Sequence, residues 1–285
     1  MNRPYAEVIG DPIAQSKSPK IHNFWLGKLG IDAEYRACHI RPEELADYFA
    51  ARQDDLAWRG CNVTMPHKQA VIPLLHSVEA PADTIGAVNT IYPAFDRLLA
   101  GTNTDASGFL EPLKSDLDQT HYYRMARILG TGGAARAIIT ALADKGFTLV
   151  VAGRDPAKAR ALLDELAPKG EHHAIHLPHF ADPTDFAFDD REACLDLVIN
   201  ASSLGMQGQP PLVFDWSHAP PGSIAYDVVT APLDTPFLQG ARTKGFSTID
   251  GLSMLIGQAA AAFALFFGQP APREHDAELR AILAS

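Results

Sequence analysis

Lys68 closes the run Asn62-Val63-Thr64-Met65-Pro66-His67-Lys68, where an extended apolar stretch gives way to an amide, a hydroxyl and an ammonium. Asp105 ends Asn103-Thr104-Asp105, and Asn89 lies within Gly86-Ala87-Val88-Asn89-Thr90. An ammonium can hand a proton to an oxygen or neutralise charge that develops there, and a carboxylate can orient both the ammonium and a hydroxyl. The pair suits exchange between a ketone and an alcohol, because hydride addition to a carbonyl builds an alkoxide. A close carboxylate favours the charged form of a lysine and desolvation favours the neutral form. The sequence therefore leaves open which of Lys68 and Asp105 finally takes the proton.

Ser16-Lys17-Ser18-Pro19 adds two hydroxyls where a loop meets a helix opening at Lys20. Ser18 fits an N-cap ahead of Pro19, whereas Ser16 has no such duty, and a helix N-terminus favours an anion such as a carboxylate. Taken singly, each of these segments is a turn or a cap. Together Ser16, Ser18, Asn62, Thr64, Lys68, Asn89 and Asp105 point to a polyhydroxylated ligand, since a core places few such groups at element boundaries. His67 adjoins Lys68 on a predicted helix, points elsewhere, and reads as surface or cap.

A second constellation follows Arg127-Ile128-Leu129. Gly130-Thr131-Gly132-Gly133-Ala134-Ala135-Arg136 is a glycine turn between a strand and the helical residues 137–145, with Ala135 at the third glycine position. Such a turn lets backbone N–H groups approach a pyrophosphate at a helix N-terminus. The next strand ends at Gly153-Arg154-Asp155, about where a ribose-reading residue falls. A small residue beside a guanidinium accommodates a 2′-phosphate, and Lys158 adds a second positive charge, so the site reads as NADP-binding. An aspartate here could hold an NAD ribose, but Asp155 precedes Pro156 and a helical run, the pattern of an N-cap.

The elements that must position these groups alternate along the chain as in an α/β protein with largely parallel strands. Strands are predicted at residues 5–9, 35–40, 59–63, 89–92, 126–129, 148–152, 195–199 and 223–226. Residues 105–114 read as a helix and the polar stretch 115–121 as a hinge. Beyond Asp250 the chain reads as helices over 252–267 and 273–283, a tail that usually packs back on the first domain.

With 285 residues, 47% hydrophobic and 20% charged, the chain can bury a full core. A formal net charge of -10 without a basic run excludes a nucleic-acid surface. The longest apolar stretch, 259–267, is too short for a membrane span. The first residues lack a signal-peptide core, and Cys38, Cys61 and Cys194 are widely spaced without a CxxC, which fits free thiols and a cytoplasmic address. His172, His173, His176 and His179 cluster in a stretch that reads as a strand entering a loop, without the acid or cysteine that would complete a metal site. No metal is expected.

The SKSP, NVTMPHK, GAVNT, NTD and GTGGAAR segments, Asn200-Ala201-Ser202 with Gly205-Met206, and residues 250–258 together resemble the shikimate dehydrogenase family nearly end to end. The resemblance implies an N-terminal α/β substrate domain, residues 1–104, completed by C-terminal helices 252–285. It implies a Rossmann-type NADP domain at 105–251, entered by the linking helix 105–114, and a cleft where the two meet. It implies that Ser16 and Ser18 hold a substrate carboxylate with help from Thr64, and that Asn89, Lys68, Asp105 and Gln258 contact ring hydroxyls. Lys68 and Asp105 would be the catalytic pair for reversible reduction of 3-dehydroshikimate to shikimate. In the cofactor half Gly130, Thr131, Gly132, Gly133, Ala134, Arg154 and Lys158 match phosphate-binding positions, and Val228 and Gly251 match backbone positions near the nicotinamide. The family usually has Asn-Arg-Thr or Asn-Arg-Ser in place of Gly153-Arg154-Asp155. It commonly has a tyrosine that reaches the substrate where this chain has the shorter Thr230. A quinate dehydrogenase of broader specificity and a non-catalytic dinucleotide sensor are the alternatives. Retention of both Lys68 and Asp105 argues against the sensor, and the partners expected are small molecules, with the chain a monomer or homodimer.

Overall fold

The computed structural model describes residues 3–180 and 193–284. It divides into a first unit that ends at Gly108 and resumes at Leu255, and a second unit over Phe109–Met254. The first unit contains, in chain order, β1 (Tyr5–Gly10), α1 (Ser18–Leu29), β2 (Glu34–His39), α2 (Leu45–Gln53), β3 (Trp58–Val63), β4 (Ser77–Val78), α3 (Ala82–Ile85), β5 (Thr90–Pro93) and β6 (Leu99–Thr102). Helix α4 (Asp105–Leu110) carries the chain into the second unit. There follow α5 (Lys114–Leu117), β7 (Tyr123–Leu129), α6 (Gly133–Asp144), β8 (Thr148–Gly153), α7 (Pro156–Leu166), β9 (His173–His176), β10 (Cys194–Asn200), β11 (Ile224–Asp227), α8 (Pro236–Thr243) and β12 (Ser247–Ile249). The last helices are α9 (Gly251–Phe267) and α10 (Asp276–Ala284).

Among the described residues the first unit holds a six-stranded sheet in the order β2-β1-β3-β5-β6-β4. β1 is parallel to both β2 and β3, while β5 runs antiparallel to β3 and β6. β1 is buried along its whole length, as a central strand covered on both faces must be. Phe266 and Ala262 of α9 pack with Ala6, Val8, Ile13 and Tyr35, so the C-terminal helices complete this core. On the other side Trp58, Val63, Tyr48 and Phe49 form the second apolar layer. Because chain order reverses between β1 and β3, the loops that leave their carboxyl ends border a crevice of the kind where open α/β sheets bind ligands.

The second unit has the sheet order β12-β11-β10-β7-β8-β9, with all neighbours parallel. This is the doubly wound dinucleotide-binding order, with its switch point between β7 and β10. Phe109 and Leu113 are fully buried in its core beside Ile128, Ile138 and Val151. The link after Asp105 therefore belongs to this unit by packing, and the break falls at Gly108 rather than in the polar stretch 115–121, where α5 ends.

The predicted strands each correspond to an observed one with ends shifted by up to three residues. β4, β6 and β12 were not foreseen, because each is two to four residues long and none has a sustained apolar run. The helix predicted after Val63 is absent. Residues 65–71 form hydrogen-bonded turns, with His67 N–H donating to Thr64 O and Val71 N–H to His67 O, before a short 3-10 turn at Ile72–Leu74. Pro66, Pro73 and the β-branched Val71 and Ile72 explain why a helix does not propagate there.

Candidate active site

Lys68 and Asp105 form an ion pair in the first unit, with side chains 16% and 7% exposed. The Lys68 carbonyl accepts from Val88 N–H at 2.7 Å, which ties the turn after β3 to the residue before Asn89. Asp105 opens α4, and its N–H donates to Asn103 Oδ1 at 2.8 Å, while Asn103 Nδ2 donates to Ala87 O at 2.9 Å. Lysine and aspartate are thus brought together by two turns that are themselves pinned to the 86–89 segment.

Asn89 sits at the centre of this arrangement and is 2% exposed. Its Nδ2 donates to Asp105 Oδ1 at 2.9 Å and to Thr104 Oγ1 at 3.0 Å. Its Oδ1 accepts from Thr104 N–H at 2.8 Å and from Thr90 Oγ1 at 2.9 Å. Gln258 reaches the same cluster from α9: its Oε1 lies 3.5 Å from both Asn89 Nδ2 and Thr104 Oγ1, and its Nε2 donates to Leu255 O. Asn62 lies one layer deeper. Its Nδ2 donates to Asn89 O and Thr90 Oγ1, and its Oδ1 accepts from Tyr35 Oη at 2.7 Å. Expected beside a ligand, Asn62 has both amide hydrogens engaged within the protein, so its contacts are those of a support for Asn89. Tyr35 and Thr90 complete that support, and neither was singled out from sequence, because the signal, a polar group on a strand facing another strand's end, needs the strand order.

The loops after β1 and β3 are neighbours: Thr64 N–H donates to Ile9 O at 2.9 Å and Asp11 N–H to Met65 O at 3.0 Å. Gly10 permits this approach, since a Cβ there would lie 2.5 Å from Thr64 Cγ2. Ser16 and Ser18 therefore stand on the loop beside the one that carries Thr64 and Lys68. Ser18 is not the N-cap. α1 begins at Ser18 itself with Lys17 at the cap position and no side-chain cap, and Ser16 Oγ instead accepts from Ser18 N–H at 3.3 Å. His67 is likewise neither surface nor cap. It is 1% exposed, with Nε2 at 2.6 Å from Ile40 O.

In the second unit the glycine turn leaves β7 at the switch point. Gly130 has φ +126, and a Cβ there would lie 2.6 Å from Ala201 O at the end of β10, so both conformation and contact demand glycine. Thr131, Gly132, Gly133 and Ala134 lead into α6. Gly132 is its N-cap, no side chain caps the helix, and nothing lies within 4 Å of the position a Gly132 Cβ would take. An uncapped helix start with open space before it fits a diphosphate. Asp155 caps α7, accepting from Ala157 N–H at 2.9 Å and Lys158 N–H at 3.4 Å, as its sequence pattern predicts. Arg154 and Lys158 are exposed beside it. These residues fit a dinucleotide that carries a phosphate on its adenosine ribose.

Val228 and Thr230 follow β11, both half-buried. Asp227, fully buried, holds this segment: Oδ1 accepts from Asn200 Nδ2 and Val229 N–H at 3.0 Å each, and Oδ2 from Thr235 Oγ1 at 2.7 Å. Burial pushes the Asp227 carboxyl above its ordinary range against these hydrogen bonds. Gly251, at the start of α9, abuts the same segment, as a Cβ there would lie 2.4 Å from Val229 O. His172 has both ring nitrogens against backbone, Nδ1 accepting from Leu149 N–H and Nε2 at 2.8 Å from Lys169 O.

Residues 8–91 match the model of the shikimate dehydrogenase substrate binding domain, and residues 251–278 that of the shikimate 5′-dehydrogenase C-terminal domain. The NADP(+) shikimate dehydrogenase of Sphingopyxis alaskensis is 49% identical over 287 residues, covering 99% of this chain and 97% of that protein. The shikimate 5-dehydrogenase of Thermus thermophilus, solved with NADP(H) and shikimate, is 33% identical with a TM-score of 0.82, covering 98% of this chain and 99% of the other. The quinate dehydrogenase of Corynebacterium glutamicum, solved with NAD, is 30% identical with a TM-score of 0.82 over the same shares of both chains. End-to-end similarity of this order, on a chain that folds into the same pair of units, makes this protein a member of the shikimate dehydrogenase family.

Proposed function

We propose that the chain is an NADP-dependent shikimate dehydrogenase that reversibly reduces 3-dehydroshikimate to shikimate. The observation that carries this reading is the Lys68–Asp105 ion pair with Asn89 donating to the same carboxylate. Bound through the glycine turn, Arg154 and Lys158, the dinucleotide supplies or takes the hydride. Lys68 gives a proton to the oxygen that becomes the shikimate hydroxyl, and in the other direction the pair removes it. Asp105 keeps the ammonium and that hydroxyl aligned, and Asn89 fixes the carboxylate so that it does not rotate away. Gln258 contacts a further hydroxyl, Asn89 reaches one by exchanging one of the hydrogen bonds that its amide gives to Asp105 and Thr104, and Ser16, Ser18 and Thr64 hold the ring carboxylate, where hydroxyl donors at the start of α1 suit an anion. Thr230 falls at the position where the family commonly has a substrate-reaching tyrosine, and its side chain is too short for the same contact. Val228 and Gly251 offer backbone to the nicotinamide.

The free cysteines suit a reducing compartment, and the reading is of a cytoplasmic enzyme, monomer or homodimer. Among the described residues no helix is long and apolar enough to cross a membrane. Following the nicotinamide absorbance with shikimate or quinate, each with NADP or NAD, tests the assignment. Turnover fastest with shikimate and NADP is expected. Faster turnover of quinate would make the chain a quinate dehydrogenase, and no change with any pair would make it a binding protein.

A further inference from the structure

The strand end that reads the adenosine ribose in this fold is Gly153, and its lack of a side chain is not a backbone requirement, since its φ lies outside the left-handed region. Space is what restricts it. A Cβ on Gly153 would lie 3.2 Å from Thr131 Cγ2, inside the usual carbon–carbon contact distance of about 3.5 Å. The methyl group of the glycine turn thus stands where a polar side chain from β8 would pass. A second neutral route to the 2′-phosphate is also closed, because the Asp155 carboxylate already takes the first-turn N–H groups of α7. What remains are the exposed Arg154 and Lys158, neither of which has a side-chain partner among the described residues.

We propose that Thr131 and Gly153 form a matched pair that leaves recognition of the cofactor's 2′-phosphate to the charges of Arg154 and Lys158. The inference deepens the NADP reading and rests on it. Attraction between exposed charges weakens as salt shortens the screening length, whereas hydrogen bonds from a buried side chain do so far less. Preference for the 2′-phosphate is therefore a salt-dependent property of this chain. Thr131 and Gly153 are also coupled, because a side chain at 153 needs the methyl group opposite to give by a few tenths of an ångström or to be absent.

Calorimetric binding of adenosine 2′,5′-bisphosphate and of AMP to the full chain tests both consequences, with thermal melts recorded for every variant. For the wild-type chain the ratio of the two dissociation constants is expected to shrink about tenfold between roughly 50 and 500 mM salt. Gly153→Asn alone is expected to weaken bisphosphate binding about threefold, as overpacking does. In the Thr131→Ala background the same change is expected to tighten it and flatten its salt dependence. Gly153→Ala, which adds only the Cβ, should show the same sign reversal in its smaller steric part. A salt-independent ratio, or a Gly153→Asn effect equal in both backgrounds, overturns the inference while AMP binding leaves the dinucleotide reading in place. Failure of the wild-type chain to bind either nucleotide overturns the cofactor reading itself.

Discussion

At the scale of single residues, the site is built by giving each functional atom a partner that fixes it. Asn89 illustrates this, with its amide shared among Asp105, Thr104 and Thr90 in a nearly water-free setting. Asn89→Ala leaves Asp105 without one donor and Thr104 without an acceptor, and an unmatched buried group costs about 1–3 kcal/mol. We expect a loss of that size in thermal stability together with a rise in KM for shikimate, measured by melts and steady-state kinetics. Unchanged melting and kinetics would mean that the cluster does not depend on its central amide. Lys68, Asp105 and Asn89 were legible in the sequence because polar groups at strand ends are conspicuous. The duties of Ser18, Asn62 and His67 were not. Whether a hydroxyl caps a helix depends on where the helix starts, and whether an imidazole is buried depends on what lies opposite, here the Ile40 carbonyl.

Elements place these residues near points where the two sheets reverse chain order. Gly130 stands at one reversal, and Gly130→Ala would force a Cβ against the Ala201 carbonyl in a left-handed backbone. A destabilisation of about 1–3 kcal/mol is expected, with loss of NADP binding, readable by calorimetry and melts; binding at the wild-type level would show that the turn is not held as described. In the other unit β1, β2 and α2 meet at Glu7, which is 1% exposed and accepts from Arg36, Arg52 and Tyr48. Burial raises the Glu7 pKa, but hydrogen bonds from Arg52 and Tyr48 outweigh it and hold the carboxyl below its ordinary value. The folded pKa is then below the unfolded one, so this stabilisation is complete well above the ordinary value of 4.5 and is lost as pH falls through the folded value. Glu7→Gln should be less stable at neutral pH by roughly 2 kcal/mol, a figure reduced because both arginines are partly exposed, and should lose less on acidification. Parallel acid limbs for the two proteins in melts between neutral and acidic pH would contradict this. The long strands were legible from their apolar runs. β4 and β6 were not, since a two-residue strand and one that contains Gly101 have no period to detect; β6 exists because β5 offers an edge to pair with, and β4 because β6 does.

For the molecule as a whole, local patterning identified an α/β protein and a terminal run of helices. That this run packs back on the first unit was expected only because such tails usually do, since a contact between Phe266 and Tyr35 leaves no mark on either segment alone. Nor could periodicity reveal that α4 begins with the carboxylate paired to Lys68 and carries Phe109, near its end, into a different core. Those links came from motif resemblance at the sequence level and from packing in the structure. The proposed site depends on the same long-range closure, since Gln258 joins Asn89 and Thr104 only because α9 returns to the first sheet.

The central claim is that Lys68 transfers the proton while other residues bind the ring. The most direct measurement is kcat for shikimate oxidation by NADP alongside the dissociation constant for shikimate, in the wild-type chain and in Lys68→Ala. We predict that kcat falls by about 10²–10⁴ while shikimate binds within a few-fold of its original affinity. A kcat close to the wild-type value, or a loss of affinity as large as the loss of rate, would contradict it.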